Sequence, residues 1–369
     1  MTEWVPVGRG VLDISDSARS GHDAELAITP VRPGDCIALS DGPADLWRSL
    51  IGGRDEDSFD EQELDLLRAF HEYGIAAPAP HPLTVSELRT PWMSSPQHEL
   101  VYALLAHVLQ DEAIEGVFIK GPVEYVQGLR HREHSGDVDV WIHHSQVQRL
   151  AEAMKPWGWT LRSDVFISHS RTLIPETWGC AIDVHTRFPG MATDPEEAFK
   201  ILMQNTQPWE FAGISVSVPS RPLAAVIRAL HDLRPSGRDP LTPAKTEEAA
   251  RTLKLAGPDA ILVARELGAL APLAESFQMA FPEEEIDLRD VSWPDNWHSL
   301  AAPNLAVGLV RSLRATAPGD RLAALFRLVW PDRRTAIESA ARSGHPTDNA
   351  LAARAIRMWC GILRLGRRD

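Results

Sequence analysis

The sequence predicts an α/β (α+β) fold, with a small mixed sheet flanked by helices, a β-then-α segment before it and a helical segment after it. Three observations carry this. Residues 1–82 mix short apolar alternations with turn signals such as Arg32-Pro-Gly-Asp35. Residues 83–220 alternate helical and strand periods, and from 221 onward only the helical period recurs. Those limits are the expected boundaries of three domains, 1–82, 83–220 and 221–369.

In the first segment a helix from Gly42 to Leu50 places Leu46, Trp47 and Leu50 on one face. A second helix opens at Asp60, with Glu63 as its capping-box partner. Leu66, Leu67 and Phe70 face inward and Gly74 ends it. Short strands followed by two helices have winged-helix character, and Ala76-Ala-Pro-Ala-Pro-His-Pro82 reads as a stiff linker.

In the second segment Ser95 caps a helix that has Pro96 at its first position. Leu100, Val101, Leu104, Leu105, Val108 and Leu109 give that helix one apolar face. Val117-Phe-Ile119 is a short buried strand running into Lys120-Gly121-Pro122, and Asp137–Ile142 is a second strand. Ser145 with Gln148 caps a helix carrying Val147, Leu150, Ala151 and Met154, which Pro156-Trp-Gly158 stops. Residues 164–169 and 180–185 are two further strands. Beyond 221, Leu223, Ala224, Ile227 and Leu230, the stretch Arg251–Leu255, and the Ala-rich stretches after 301 and 349 read as helix.

Composition bounds the function classes. Hydrophobic residues at 44% and charged residues at 24% are globular values, so 369 residues can build a core without disulfides. No stretch approaches the roughly 18 apolar residues of a membrane span, so no membrane partner is expected. The start, Met-Thr-Glu-Trp-Val-Pro, lacks the basic region and apolar run of a signal peptide. Cys36, Cys180 and Cys360 have no metal or redox spacing, and reduced thiols in a cytoplasmic protein are expected. The net charge of −14 opposes general nucleic-acid binding, which needs clustered Lys and Arg, and this makes RNA a less favoured partner. Part of that acidity lies in residues 54–65 and reads as a solvated face.

The chemistry concentrates in Gly136-Asp137-Val-Asp139-Val-Trp-Ile142. On a strand the side-chain period is two, so Asp137 and Asp139 project from one face while Val138, Val140 and Ile142 enter the core. Paired carboxylates on a rigid strand repel unless a cation lies between them, and Mg²⁺ is commonly held on a substrate phosphate by one or two such groups. Ala181-Ile-Asp183-Val-His185 adds a third carboxylate, completing a set suited to two-metal phosphoryl transfer. His185 shares the face of Asp183 and is expected to pack beside the acids. Phe118-Ile-Lys120-Gly121-Pro122 supplies the anion side: a Gly at a strand-to-helix junction lets backbone approach a phosphate, and Lys120 adds a point charge. Arg130 and Arg132 are both candidates for a phosphate clamp, and the sequence leaves the choice between them open.

These motifs, in this order, resemble a bacterial nucleotidyltransferase family often labelled uncharacterised, within the DNA polymerase β-like superfamily. The match spans about residues 115–190. It implies a minimal nucleotidyltransferase sheet followed by a helical domain. By motif position it implies that Asp137, Asp139 and Asp183 hold Mg²⁺ or Mn²⁺, and that Lys120, Gly121 and an arginine hold the phosphates of a nucleoside triphosphate. Gly136 and His185 flank these motifs and complete the candidate nucleotide-binding set. Ala229-Leu-His231 faintly resembles a family histidine, but Arg234–Pro240 interrupts what normally follows, so His231 is expected to be structural. Asp35–Leu50 and Glu63–Gly74 resemble a PqqD-type domain, which binds the leader of a ribosomally made precursor peptide as an added strand. The N-terminal segment is therefore either a leader-binding domain or a structural cap.

The favoured acceptor for the nucleotidyl group is thus a precursor-peptide hydroxyl. The alternatives are a non-catalytic peptide-recognition module and an RNA-modifying toxin-like enzyme. The latter has only Arg130, Arg132, Arg162, Arg171 and Arg187 near the motifs for a basic channel. His131, His134, His143 and His144 crowd one region but follow no zinc spacing. His143 shares the face of Asp139, which would put it near the nucleotide.

Overall fold

In the computed structural model the described residues are 2–15, 24–133, 136–162, 170–235, 242–289, 291–294, 297, 321–322, 325–326, 330–331 and 333–366. The N-terminal segment contains β1 (Glu3–Pro6), β2 (Gly10–Asp13), β3 (Leu26–Thr29), β4 (Ile37–Leu39), α1 (Asp41–Ser49), β5 (Arg54–Asp55), α2 (Glu61–Tyr73) and β6 (Ala76–Pro78). Strands β2, β3 and β4 pair antiparallel in that order, and β1 lies between β5 and β6 in a second sheet. Helix α1 buries Ala44, Leu46 and Trp47, and the Trp47 indole N–H donates to the Ile75 carbonyl at 2.8 Å. The capping box of α2 is present, with Asp60 Oδ1 accepting from the Glu63 N–H at 2.8 Å, and Gly74 closes the helix at φ 72°. Leu67 and Phe70 are buried, whereas Leu66 is only half-buried.

The stretch expected to be a stiff linker begins as a strand. Ala76–Pro78 pairs antiparallel with β1, in the register Trp4↔Pro78. Proline is tolerated there because β6 lies at the edge of its sheet, where a missing N–H leaves no ladder bond unmade.

The middle segment contains α3 (Pro96–Asp111), β7 (Gly116–Phe118), α4 (Pro122–Val126), β8 (Asp137–Ile142), α5 (Val147–Met154), β9 (Trp159–Leu161), β10 (Ser170–Pro175), β11 (Ala181–His185), α6 (Pro195–Gln204), β12 (Thr206–Phe211) and β13 (Ile214–Pro219). The central sheet has the order β7-β8-β11-β10-β9. Only β8 and β11 run parallel, so the sheet is mixed, and helices flank it. Expected strand 164–169 lies outside the described residues, and expected strand 180–185 is β11.

Helix α3 is capped by Ser95 with Pro96 in its first turn, but it is not amphipathic. Every residue from His98 to Leu109 is buried. The sheet and α5 cover part of its surface, and β2, β3, β12 and β13 cover the rest, so polar side chains are buried as well. One of these, the Glu99 carboxylate, is satisfied by the N–H groups of Met93 and Ala212 at 3.2 and 3.1 Å. The same core joins Leu12, Ile14 and Ala27 to Val138, Val140, Ile142, Ile182 and Val184. The expected Ser145/Gln148 cap does not form. His143 Nδ1 accepts from the Ser145 N–H at 3.4 Å, and Gln148 instead donates to Glu152 at 2.8 Å.

Helices α7 (Arg221–Leu233), α8 (Pro243–Ala256), α9 (Asp259–Glu266) and α10 (Leu270–Ala280) form the C-terminal segment with α11 (Arg333–Arg342) and α12 (Ala350–Gly366). Leu223, Ala224, Ile227 and Leu230 of α7 are buried in one core with Val117, Ile119, Trp141 and Phe188 of the sheet segment. The expected helix after 301 lies largely outside the described residues. Among the described residues no helix is long and apolar enough to cross a membrane.

Candidate active site

The parallel register of β8 and β11 decides the centre of the site. Asp139 is directly opposite Asp183, and Asp137 is opposite Ala181. With a side-chain period of two, the three carboxylates share one face of the sheet, and Val138, Val140, Ile182 and Val184 enter the core on the other. Asp139 is buried at 4% exposure. Its Oδ1 lies 2.7 Å from Lys120 Nζ and 2.7 Å from His185 Nε2. Asp183 Oδ1 accepts the Thr172 hydroxyl proton at 2.6 Å across the β10–β11 ladder.

Burial alone would raise the Asp139 carboxyl, but the His185 hydrogen bond and the Lys120 ammonium outweigh it and bring it down to about 2. His185, fully enclosed, is shifted the other way, with burial holding it below the ordinary histidine value against the pull of Asp139. A neutral His185 then donates Nε2–H to a charged Asp139. The ring of Phe188 backs both groups, 5.9 Å from the His185 ring and 5.5 Å from Lys120 Nζ.

Lys120 and Gly121 sit where β7 ends and α4 begins, both at positive φ (61° and 57°). For a non-glycine residue this backbone costs about 1–3 kcal/mol, and such strain clusters at ligand clamps. It turns the Lys120 side chain back onto β8, opposite its pairing acid.

A cavity of about 300 Å³ opens over these groups. Lys120, Asp137, Asp139 and Asp183 line it together with Glu124, Arg130, Ser170, Arg228, His231 and Arg234. The structure therefore distinguishes the two loop arginines. Arg130 is half-buried in the wall, while Arg132 and Gly136 are exposed and outside the lining. His231 also belongs to the lining, with its side chain 39% exposed.

Glu124, Arg228 and Arg234 were not foreseen. The only local signal was Arg228, His231 and Asp232 at helical spacing on an otherwise apolar helix, and Glu124 alone in an apolar stretch. Arg228 bonds Asp232 at 2.7 Å and lies 3.6 Å from Glu124. Glu124 is 1% exposed, and among the described residues neither carboxylate oxygen has a hydrogen-bond partner. Burial pushes its carboxyl up to about 7, although Arg228, Arg130 and Lys120 pull the other way. Burial lowers Arg130 and Arg234 from the ordinary guanidinium value.

Acids and guanidinium groups share this lining, a composition complementary to a polyanion that arrives with a cation. Ligand atoms of Asp139, Asp183 and His185 all lie within 4.8 Å of one another, so this donor set fits a divalent ion. Asp137 borders the same cavity beside them. His143 is elsewhere: Trp141 occupies the intervening position on that face, stacked on Phe188, and His143 lines a separate cavity beyond the strand end. His131 is exposed, and His134 lies outside the described residues.

No family model matches the chain, and no curated protein matches it. Among solved structures it is similar to the lincosamide antibiotic adenylyltransferase LnuA with lincomycin bound, at 17% identity and a TM-score of 0.28, over 43% of this chain and 97% of that one. It is also similar to an antigenic nucleotidyltransferase-like protein from Paracoccidioides brasiliensis, at 15% identity and a TM-score of 0.34, over 52% of this chain and 89% of that one. At such TM-scores these likenesses decide nothing about activity, which rests on the geometry.

Proposed function

We propose that the chain is a nucleotidyltransferase that moves a nucleoside monophosphate from an NTP to an acceptor hydroxyl in the cytoplasm. The observation that carries the reading is the parallel pairing of Asp139 with Asp183 under an arginine-lined wall, in one cavity of about 300 Å³. The acceptor oxygen bonds to the α-phosphorus, the bond to the bridging oxygen of the β-phosphate breaks, and pyrophosphate leaves. Asp183, oriented by Thr172, receives the acceptor proton. Lys120 and Arg130 hold the phosphates, with Arg228 and Arg234 as further guanidinium groups of the lining. The Gly121 backbone, next to Lys120 but outside that lining, would have to reach them from the strand-to-helix junction. Mg²⁺ or Mn²⁺ held by Asp137, Asp139 and Asp183, with His185 behind them, would neutralise charge on the transferring and leaving groups.

A precursor-peptide acceptor is favoured by the N-terminal sheet. Within the described residues β4 has one neighbour, so Ile37–Leu39 present an edge to which an extended leader can add. Strand β2 at the other side is already bridged at Leu12 by Arg89. In this reading residues 1–82 recognise the peptide, 83–220 carry the chemistry and 221–369 contribute Arg228, His231 and Arg234 to the cavity.

The test is incubation with each labelled NTP and Mg²⁺ or Mn²⁺, following pyrophosphate release and label transfer to protein, RNA or added peptide. Release that disappears in Asp137→Ala/Asp139→Ala is expected. Silence with every NTP, combined with tight binding of a leader peptide, would leave a recognition module in place of an enzyme. Thr172→Val removes the hydroxyl that orients Asp183. One such hydrogen bond is worth about 1 kcal/mol, so kcat should fall by about fivefold to tenfold while KM for the NTP changes little. A KM effect alone would contradict this role for Thr172.

A further inference from the structure

At the opposite end of β8, roughly 20 Å along the strand from Asp137 by the rise per residue, lies a second cluster that the transferase reading does not use. We infer that His143, His144 and Glu196 form a separate site for a borderline divalent ion of the Zn²⁺ class. Each offers one ligand atom, and the three atoms lie within 4.8 Å of one another. His143 Nε2 and Glu196 Oε1 are 3.8 Å apart, too far for a hydrogen bond. Two ligands on one tetrahedral Zn²⁺, at about 2.0–2.2 Å each, lie about 3.3–3.5 Å apart, so a small side-chain closure suffices.

The supports are rigid. His143 is fixed where β8 ends, with Nδ1 2.8 Å from the Ser145 hydroxyl. Metal binding at Nε2 would select the other tautomer, in which Nδ1–H donates to that oxygen and no longer accepts from the Ser145 N–H. An outer partner of this kind is what orients a metal-binding imidazole. The His144 ring lies beside it, 4.4 Å between centroids. Glu196 sits in the first turn of α6, where its own N–H is held by the Asp194 carboxylate at 2.9 Å.

The surrounding charge favours a cation. Asp194, Glu196 and Glu197 crowd that turn, and Glu115 faces it across a cavity of about 300 Å³. Lys200, the opposing charge in the lining, lies 3.3 Å from Glu197. Two imidazoles and one carboxylate select Zn²⁺ over Mg²⁺, which prefers all-oxygen ligands, and water fills the fourth position. The ion would clip the end of β8 to the start of α6. The histidine spacing alone could not reveal this, because the third ligand comes from a distant helix.

The test is calorimetric titration of the metal-stripped full chain with Zn²⁺ in excess Mg²⁺, beside His143→Ala, His144→Ala, Glu196→Gln and Asp139→Asn. Outer partners of metal ligands already contribute roughly 10–100-fold in affinity. Each of the first three variants should therefore weaken one Zn²⁺ site by about tenfold or more, and Asp139→Asn should leave that site intact. Zn²⁺ should also raise the melting temperature of the wild type and not of Glu196→Gln, a surface change that does not threaten folding. A Zn²⁺ isotherm unchanged in Glu196→Gln and in both histidine variants would overturn the site. So would Zn²⁺ binding that Asp139→Asn alone abolishes. Neither result bears on whether NTP is turned over.

Discussion

Asp139→Asn is expected to lower pyrophosphate release by about 10³-fold, the scale on which loss of one preorganised charge acts in a water-poor site. Asparagine keeps the shape but removes the charge that faces both Lys120 and His185 at 2.7 Å. Lys120, only 14% exposed, is then left with an ammonium beside a neutral amide. Removing one partner of a buried ion pair costs about 3–5 kcal/mol, so the variant should also melt at a lower temperature.

A pH signature accompanies this. The Asp139 carboxyl is at about 2 when folded, against 3.8 as its ordinary value. A depressed acid contributes stability above its unfolded value and loses it as pH falls through the folded one. Stability on the order of 2 kcal/mol should therefore disappear between roughly pH 4 and pH 2. Denaturant midpoints across that range should fall more steeply for wild type than for Asp139→Asn. A variant with near-normal turnover at full folding, checked by near-ultraviolet circular dichroism, would remove Asp139 from the chemistry.

Glu124→Gln should act in the opposite sense, as a stabilising change. The wild-type carboxyl is buried without a hydrogen-bond partner among the described residues and stands at about 7 instead of its ordinary 4.5. An acid raised on folding contributes fully below its unfolded value, and the contribution is lost as pH rises through the folded one. Between about pH 4.5 and 7 the wild type should lose about 3 kcal/mol that glutamine does not lose. The variant should thus match wild type near pH 4 and exceed it by about that amount above pH 7, read as unfolding midpoints at each pH. Equal pH profiles would mean that Arg228 and Arg130 fully compensate the carboxylate.

What was legible in the sequence is what neighbours along the chain determine. Alternation in Asp137–Ile142 placed two acids on one face of a strand. Asp60 with Glu63, and Ser95 with Pro96, marked helix starts, because those bonds close within three residues. The Lys-Gly junction before β8 was legible for the same reason, since its strained turn is a property of consecutive residues. Periodicity was a poorer guide to α3, because an apolar stripe reveals one buried face and not that other sheets cover the rest.

The tertiary structure alone decided the remainder. Arg130 and Arg132 are two residues apart in a loop, where no period applies, and only the cavity wall separates them. Glu124, Arg228 and His231 come from helices and Arg234 follows the end of α7, and the position of α7 is set by its packing against α4 and α8. Glu196 meets His143 only because α6 begins beside the end of β8. Local hydrogen bonding and side-chain period are written residue by residue, whereas a site assembled from distant segments exists only once burial of their apolar faces has brought those segments together.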